Sequence, residues 1–189
     1  MIHSPKFTVV LDACVLYPAP VRDILLSLAE IGLFKPKWTD QIQEEWTRNL
    51  LGNRADLSKK ALKLTVEAMS KAFPDSNVEN YEELISAINL PDENDRHVLA
   101  CGIRSNADLI TTFNLKDFPL KELEQYDIEV QNPDELISNL IDLNDELACK
   151  AFTKMAQRLK NPPKTRKQII EILIKCKLNA SAKRFSKCS

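Results

Sequence analysis

Glycine, histidine and long apolar runs are all scarce in this sequence, and each scarcity excludes something. Three glycines in 189 residues, beside 44% hydrophobic and 28% charged residues, describe about one domain with a real core rather than a disordered chain. The longest stretch without Asp, Glu, Lys or Arg runs only from Ala13 to Val21, far short of the roughly 20 apolar residues a membrane span needs. The start, MIHSPKFTVVLD, offers no secretory apolar segment before Asp12 interrupts it. A cytoplasmic protein with no membrane partner is therefore expected. His3 and His97 stand far apart in the chain and suggest no histidine metal site. Five cysteines (Cys14, Cys101, Cys149, Cys176, Cys188) are odd in number, scattered and without a Cys-x-x-Cys pair. That argues against a disulfide framework or a zinc site and leaves thiols expected to be buried or idle.

What is present in excess is segregated charge. Met1 to Cys149 carries 14 Lys and Arg against 26 Asp and Glu, a charge of -12, whereas Lys150 to Ser189 carries 12 against the single acid Glu171, a charge of +11. The formal total of -1 conceals an acidic body and a basic tail. Either the tail contacts nucleic acid or an acidic protein, with Lys164, Arg166, Lys167, Lys183 and Arg184 as candidate RNA-binding residues, or it is a solvated helix pair lying on the acidic body and neutralising it.

Phe7 to Leu11 (FTVVL) is too short for a helix, is rich in β-branched residues and is bounded by a charge, so a buried strand ending at Asp12 is predicted. Pro18 and Pro20 mark a turn. Val21, Ile24, Leu25 and Leu28 then follow the i, i+3, i+4, i+7 spacing of an amphipathic helix closing near Gly32. An extended piece, Leu33 to Trp38, leads to Thr39, a good N-cap for a helix with Ile42, Trp46 and Leu50 on one face. Helices follow over about Leu57 to Phe73, at YEELISAI, and from Asp92, with ADLITT and Ile128 to Val130 as further strands. This order predicts an α/β/α sandwich with a central parallel sheet over residues 1–135. A basic C-terminal helical extension, 136–189, consists of one long helix entered at Pro133 and another, KQIIEILIKCK, capped by Thr165.

Ligands of open parallel sheets sit outside the carboxyl ends of the strands, so polar residues there carry information. Asp12 closes the first strand. Asn114 and Asp117 follow the strand ADLITT on the same edge, though Asp and Asn also serve as turn-formers. Glu45 falls three residues after Ile42, within the inward stripe of its helix, whereas Glu44 points away. A carboxylate on that edge must be compensated, because burying an unpaired charge is costly. Asp95 lies four residues before Leu99 and is aimed along the buried face of its helix, with Asp92 the better cap. Carboxylates about 4 Å apart repel by roughly 4 kcal/mol at an effective dielectric near 20. Convergence of Asp12, Glu45, Asp95 and Asp117 therefore calls for protons or a divalent cation, and oxygen ligands favour Mg²⁺ or Mn²⁺.

VVLDACVL around Asp12, WTDQIQEEWTRNL around Glu45, LPDENDRHVLACGI around Asp95 and ADLITTFNLKDFP around Asn114 and Asp117 together resemble the PIN-domain nucleases, in that family's order and over residues 7–135. The resemblance implies a parallel-sheet fold with an acidic, Mg²⁺- or Mn²⁺-dependent centre that hydrolyses phosphodiester bonds of single-stranded RNA. Small members are commonly VapC-type toxins of toxin–antitoxin pairs, held by an antitoxin and often homodimeric. Carried over, Asp12, Glu45 and Asp95 resemble the three core acids as catalytic residues and metal ligands. The fourth position is Asn114 or Asp117, with Asp117 the preferred acid. His97 and Arg96 match no obligatory position.

Two other classes compete. A non-catalytic RNA- or protein-binding module with the same fold should lack one of the core acids, and none is missing. A phosphatase of the haloacid dehalogenase type, with Asp12 as nucleophile, needs an acid where Cys14 stands.

Overall fold

The computed structural model describes residues 7–160 and 162–188. From the N-terminus the elements are β1 (Thr8–Leu11), α1 (Ala13–Leu16), α2 (Ala19–Glu30), β2 (Lys35–Lys37), α3 (Asp40–Asn53), α4 (Lys59–Ala72) and α5 (Glu82–Ile85). A 3₁₀ turn (Glu93–Asp95), α6 (Arg96–Ser105), β3 (Leu109–Thr111), a second turn (Leu115–Asp117), α7 (Leu120–Leu123) and β4 (Glu129–Gln131) complete the body. The extension consists of α8 (Pro133–Leu143), α9 (Asp145–Arg158), α10 (Arg166–Lys175) and α11 (Asn179–Phe185).

The four strands form one sheet in the order β2-β1-β3-β4, every pair parallel. Parallel neighbours require crossovers, and the helices that make them cover the sheet faces. This is the α/β/α arrangement expected from the sequence. Val10 is in register with Lys37 on one side and Ile110 on the other, and Thr111 with Gln131. The parallel sense brings all four carboxyl ends to one edge, and Asp12 and Thr112 emerge side by side there. Helix α6 lies close on the sheet at Gly102, where an added Cβ would come within 3.1 Å of the Ile128 side chain.

Three local expectations need correction. A short helix, α1, begins directly after Asp12, and α2 starts at Ala19 with Pro20 in its first turn, because proline fits there without losing a hydrogen bond. The single long helix from Pro133 is two: Asn144 leaves the helical region and its side chain accepts from the Leu147 N–H, opening α9 with Asp145 and Glu146 in the first turn. The cysteine reading fails at two positions, since Cys149 and Cys188 form a disulfide across 39 residues. Their separation hid a contact made only when α11 folds back along α8. Cys14, Cys101 and Cys176 are free thiols.

The extension is built into the core. Ile169, Leu173, Leu178, Ala182 and Phe185 are buried in the same apolar cluster as Val9, Leu25 and Ile110. Helix α9 packs on α2, and α11 on α8. Glu30 of α2 pairs with Lys154 at 3.0 Å and Arg158 at 2.8 Å, so part of the tail's charge neutralises the body. Arg184 donates to the Ser138 carbonyl and pairs with Asp142. Arg166 donates to the Phe185 carbonyl and lies over the Phe152 ring. Phe185 stacks on Phe152 with centroids 4.7 Å apart. Phe185→Ala should therefore cost about 3–5 kcal/mol, the range for emptying a buried aromatic site, read as a lower urea midpoint with unchanged slope. A loss under about 1 kcal/mol would mean the extension is not part of the cooperative core.

Candidate active site

The site is built at the carboxyl edge of β1 and β3. Asp12 follows β1 in extended conformation, and its N–H donates to the Thr111 carbonyl, continuing the sheet by one residue. That pairing turns its carboxylate beneath the edge, where it is only 4% exposed. Oδ2 accepts from the Thr112 hydroxyl at 2.7 Å and from the Cys14 thiol at 3.0 Å. Cys14 Sγ in turn accepts from the Phe113 N–H, and Thr112 Oγ1 from the Asn114 N–H. Burial raises the Asp12 carboxyl above the usual range, against the lowering effect of these hydrogen bonds, and the charge of Glu45 adds to the rise.

Helix α3 brings Glu45. Thr39 caps it by accepting from the Ile42 N–H, and Ile42 and Trp46 anchor its buried face. Trp46 Nε1 donates to Gln43 at 2.6 Å, while the Arg22 guanidinium covers the ring. Glu44 is exposed and Glu45 half-buried, as the periodicity predicts. The loop before α6 brings Asp95: Asp92 accepts from the Asn94 N–H and starts the turn that ends at Asp95. The Asp95 carboxyl is pushed up to about 7, first by burial, then by the negative charges of Asp12, Asp92, Asp117 and Glu45. Asp12, Glu45 and Asp117 are thus all near enough for their charges to act on Asp95. Asn114 is exposed, whereas Asp117 is half-buried, and the charge of Asp117 reaches Asp95.

The acids are neighbours in charge without forming a tight cluster. No three of them offer oxygens within 4.8 Å of one another; among the described residues only Asp145, Cys149 and Cys188 do, and there the two sulfurs are bonded together. An all-oxygen set containing a buried carboxylate and another whose carboxyl is raised first by burial and then by its neighbours' charge fits a hard divalent cation of the Mg²⁺ or Mn²⁺ type.

Sequence reasoning missed three residues here. Thr112 and Cys14 contact Asp12, and the buried His97 places Nε2 3.4 Å from Glu45. A polar residue at the end of a buried strand was the available signal for Thr112. Of the five basic tail residues, Arg166 and Arg184 make the internal contacts described above, while Lys164, Lys167 and Lys183 are exposed.

Comparison with known proteins agrees with this geometry. A family model described as PIN domain matches residues 8–116, and one described as VapC50 C-terminal domain matches residues 133–187. A protein of Mycobacterium tuberculosis named "Putative ribonuclease VapC50" is 36% identical over 93 residues, 49% of this chain and 54% of that protein. The match thus spans about half of each. No solved structure matches significantly. No helix among the described residues is long and apolar enough to cross a membrane. Given a matching model over more than half its length and a parallel sheet with acids gathered at its carboxyl edge, this chain belongs to the PIN-domain family.

Proposed function

We propose that this chain is a divalent-cation-dependent endoribonuclease that hydrolyses phosphodiester bonds in single-stranded RNA, as the toxin of a VapC-type pair with an antitoxin protein as partner. The observation that supports the reading is the buried Asp12 carboxylate at the end of β1, close enough to Glu45 to feel its charge, with the charges of Asp12, Glu45 and Asp117 all reaching Asp95. The name of the VapC50 relative is consistent with it. Asp12, Glu45, Asp95 and Asp117 are the residues that would hold Mg²⁺ or Mn²⁺, with Asn114 beside them. When bound, such a cation lowers the pKa of a water and stabilises the leaving oxygen of a phosphodiester. The protein's part is to keep the acids at fixed positions: Thr112 and Cys14 hold one oxygen of Asp12 in place. Of the five tail residues singled out in the sequence, Lys164, Lys167 and Lys183 are exposed and would be available to an RNA backbone.

The direct test is cleavage of a labelled single-stranded RNA with Mg²⁺ or Mn²⁺ and in excess chelator. Cutting is expected only with the cation, and full activity in chelator would refute the proposal. Stability should carry the same signature. The folded-state carboxyl of Asp95 sits at about 7 against an ordinary 3.8, so the folded chain keeps a proton that the unfolded chain releases. That contribution is fully present below about pH 4 and is lost as pH rises through about 7. In chelator, Tm should therefore fall over this window. Saturating Mg²⁺ should raise Tm most at the alkaline end, because it stabilises the ionised native site. A pH dependence of Tm identical with and without Mg²⁺ would count against cation binding at these acids.

A further inference from the structure

We propose that His97 is a positioning residue of the acidic centre, its imidazole holding the Glu45 carboxylate turned toward Asp12 and Asp95. The inference rests on the cation-binding reading above and adds to it the residue that keeps one acid in place. Asp95 and His97 are two residues apart, so the start of α6 supplies both an acid and an imidazole to the same cluster. The His97 side chain is 4% exposed, that of Glu45 35%, and Nε2 lies 3.4 Å from the Glu45 carboxylate. Nδ1 is buried and has no hydrogen-bond partner among the described residues.

Glu45 needs such a partner. Its charge and that of Asp12 repel, and a glutamate has three side-chain torsions through which to swing its carboxylate into bulk water. Arg96, the cation beside His97 at the start of α6, is paired with Glu93 at 2.9 Å, and Arg48, three residues beyond Glu45 on α3, is exposed and makes no ion pair with it. With a proton on Nε2, the nitrogen that faces Glu45 at 3.4 Å, the imidazole would donate toward that carboxylate. The arrangement leaves the Nδ1 lone pair buried and unsatisfied, a cost that an apolar side chain packed at the same place would avoid. A group whose only task was to fill the core has no reason to bear that cost. Carboxylate ligands held by a hydrogen-bonding neighbour bind metal about 10–100-fold better than those left free.

The test is Mn²⁺ binding to the RNA-free protein, followed by electron paramagnetic resonance, for the parent, His97→Leu and His97→Gln. His97→Leu should weaken Mn²⁺ binding by about 10–100-fold and shift the Mg²⁺ requirement for RNA cleavage equally, with the rate at saturating cation largely retained. His97→Gln keeps an N–H donor at similar reach and should stay close to the parent. In a Glu45→Gln background, His97→Leu should have no further effect on Mn²⁺ affinity, whereas a purely structural histidine would give the same loss in both backgrounds. If His97→Leu does not fold, His97→Asn, whose shorter amide is withdrawn from Glu45, must show the same weakening. Affinity of a folded Leu or Asn variant within about threefold of the parent overturns the proposal while leaving the cation reading intact. A parent that binds no Mn²⁺ overturns both.

Discussion

Asp12→Asn should reduce RNA cleavage by more than about 100-fold, equivalent to roughly 2.7 kcal/mol of barrier, while the protein remains folded. The substitution keeps the shape of the side chain and removes its charge. Its oxygen can still accept from Thr112 and Cys14, as Oδ2 of Asp12 does at 2.7 and 3.0 Å. The amide nitrogen then replaces the other carboxylate oxygen, and an N–H₂ group cannot ligate a cation. Stability should not suffer. Burial pushes the Asp12 carboxyl up, so the ionised form is a cost to the metal-free fold, and the neutral amide relieves it. The variant's Tm in chelator should equal or exceed the parent's, and Mg²⁺ should no longer raise it. Cleavage within about tenfold of the parent, about 1.4 kcal/mol, would remove Asp12 from the chemistry.

The second large effect separates adjacent residues. Glu45→Gln should abolish cleavage, whereas Glu44→Gln should leave it within about twofold, less than 0.5 kcal/mol of barrier. Both substitutions are isosteric, and both remove one negative charge from the same turn of α3. A general loss of acidity or of helix stability would therefore act equally on the two. Only Glu45 lies on the side of Trp46 and His97 and contributes its charge to Asp12 and Asp95; Glu44 is exposed. Equal losses would mean that the activity follows the charge of the helix surface. Loss at Glu44 alone would mean that the productive complex uses another face of α3. Cleavage of one labelled RNA at saturating Mg²⁺, with circular dichroism of each variant, distinguishes these outcomes.

Much of the architecture was legible because its determinants are local. The β-branched run before Asp12 and the 3.6-residue stripe after Pro20 depend only on neighbours in the chain, as do the side-chain caps of Thr39 and Thr165. The inward turn of Glu45 was readable for the same reason. Asn144 shows where local reading stopped short: the apolar stripe runs from α8 into α9 almost unbroken, and a single side chain accepting from Leu147 N–H redirects the helix. Charge counts showed an acidic body and a basic tail. They did not show which basic residues are spent on Glu30, Asp142 and the Phe185 carbonyl.

By itself, then, the sequence determined the strand and helix alphabet, the parallel α/β class and the candidate acids at strand and helix ends, since hydrophobic period and capping are properties of short segments. The tertiary structure alone decided what surrounds those acids. Thr112 reaches Asp12 across 100 residues because β1 and β3 are parallel neighbours in a fixed register. His97 meets Glu45 because α6 and α3 both bring their inner faces to that edge, and Cys149 meets Cys188 because α11 returns along α8. Contacts between distant residues follow from how packed elements are placed in space, and no period or spacing within one segment encodes that placement.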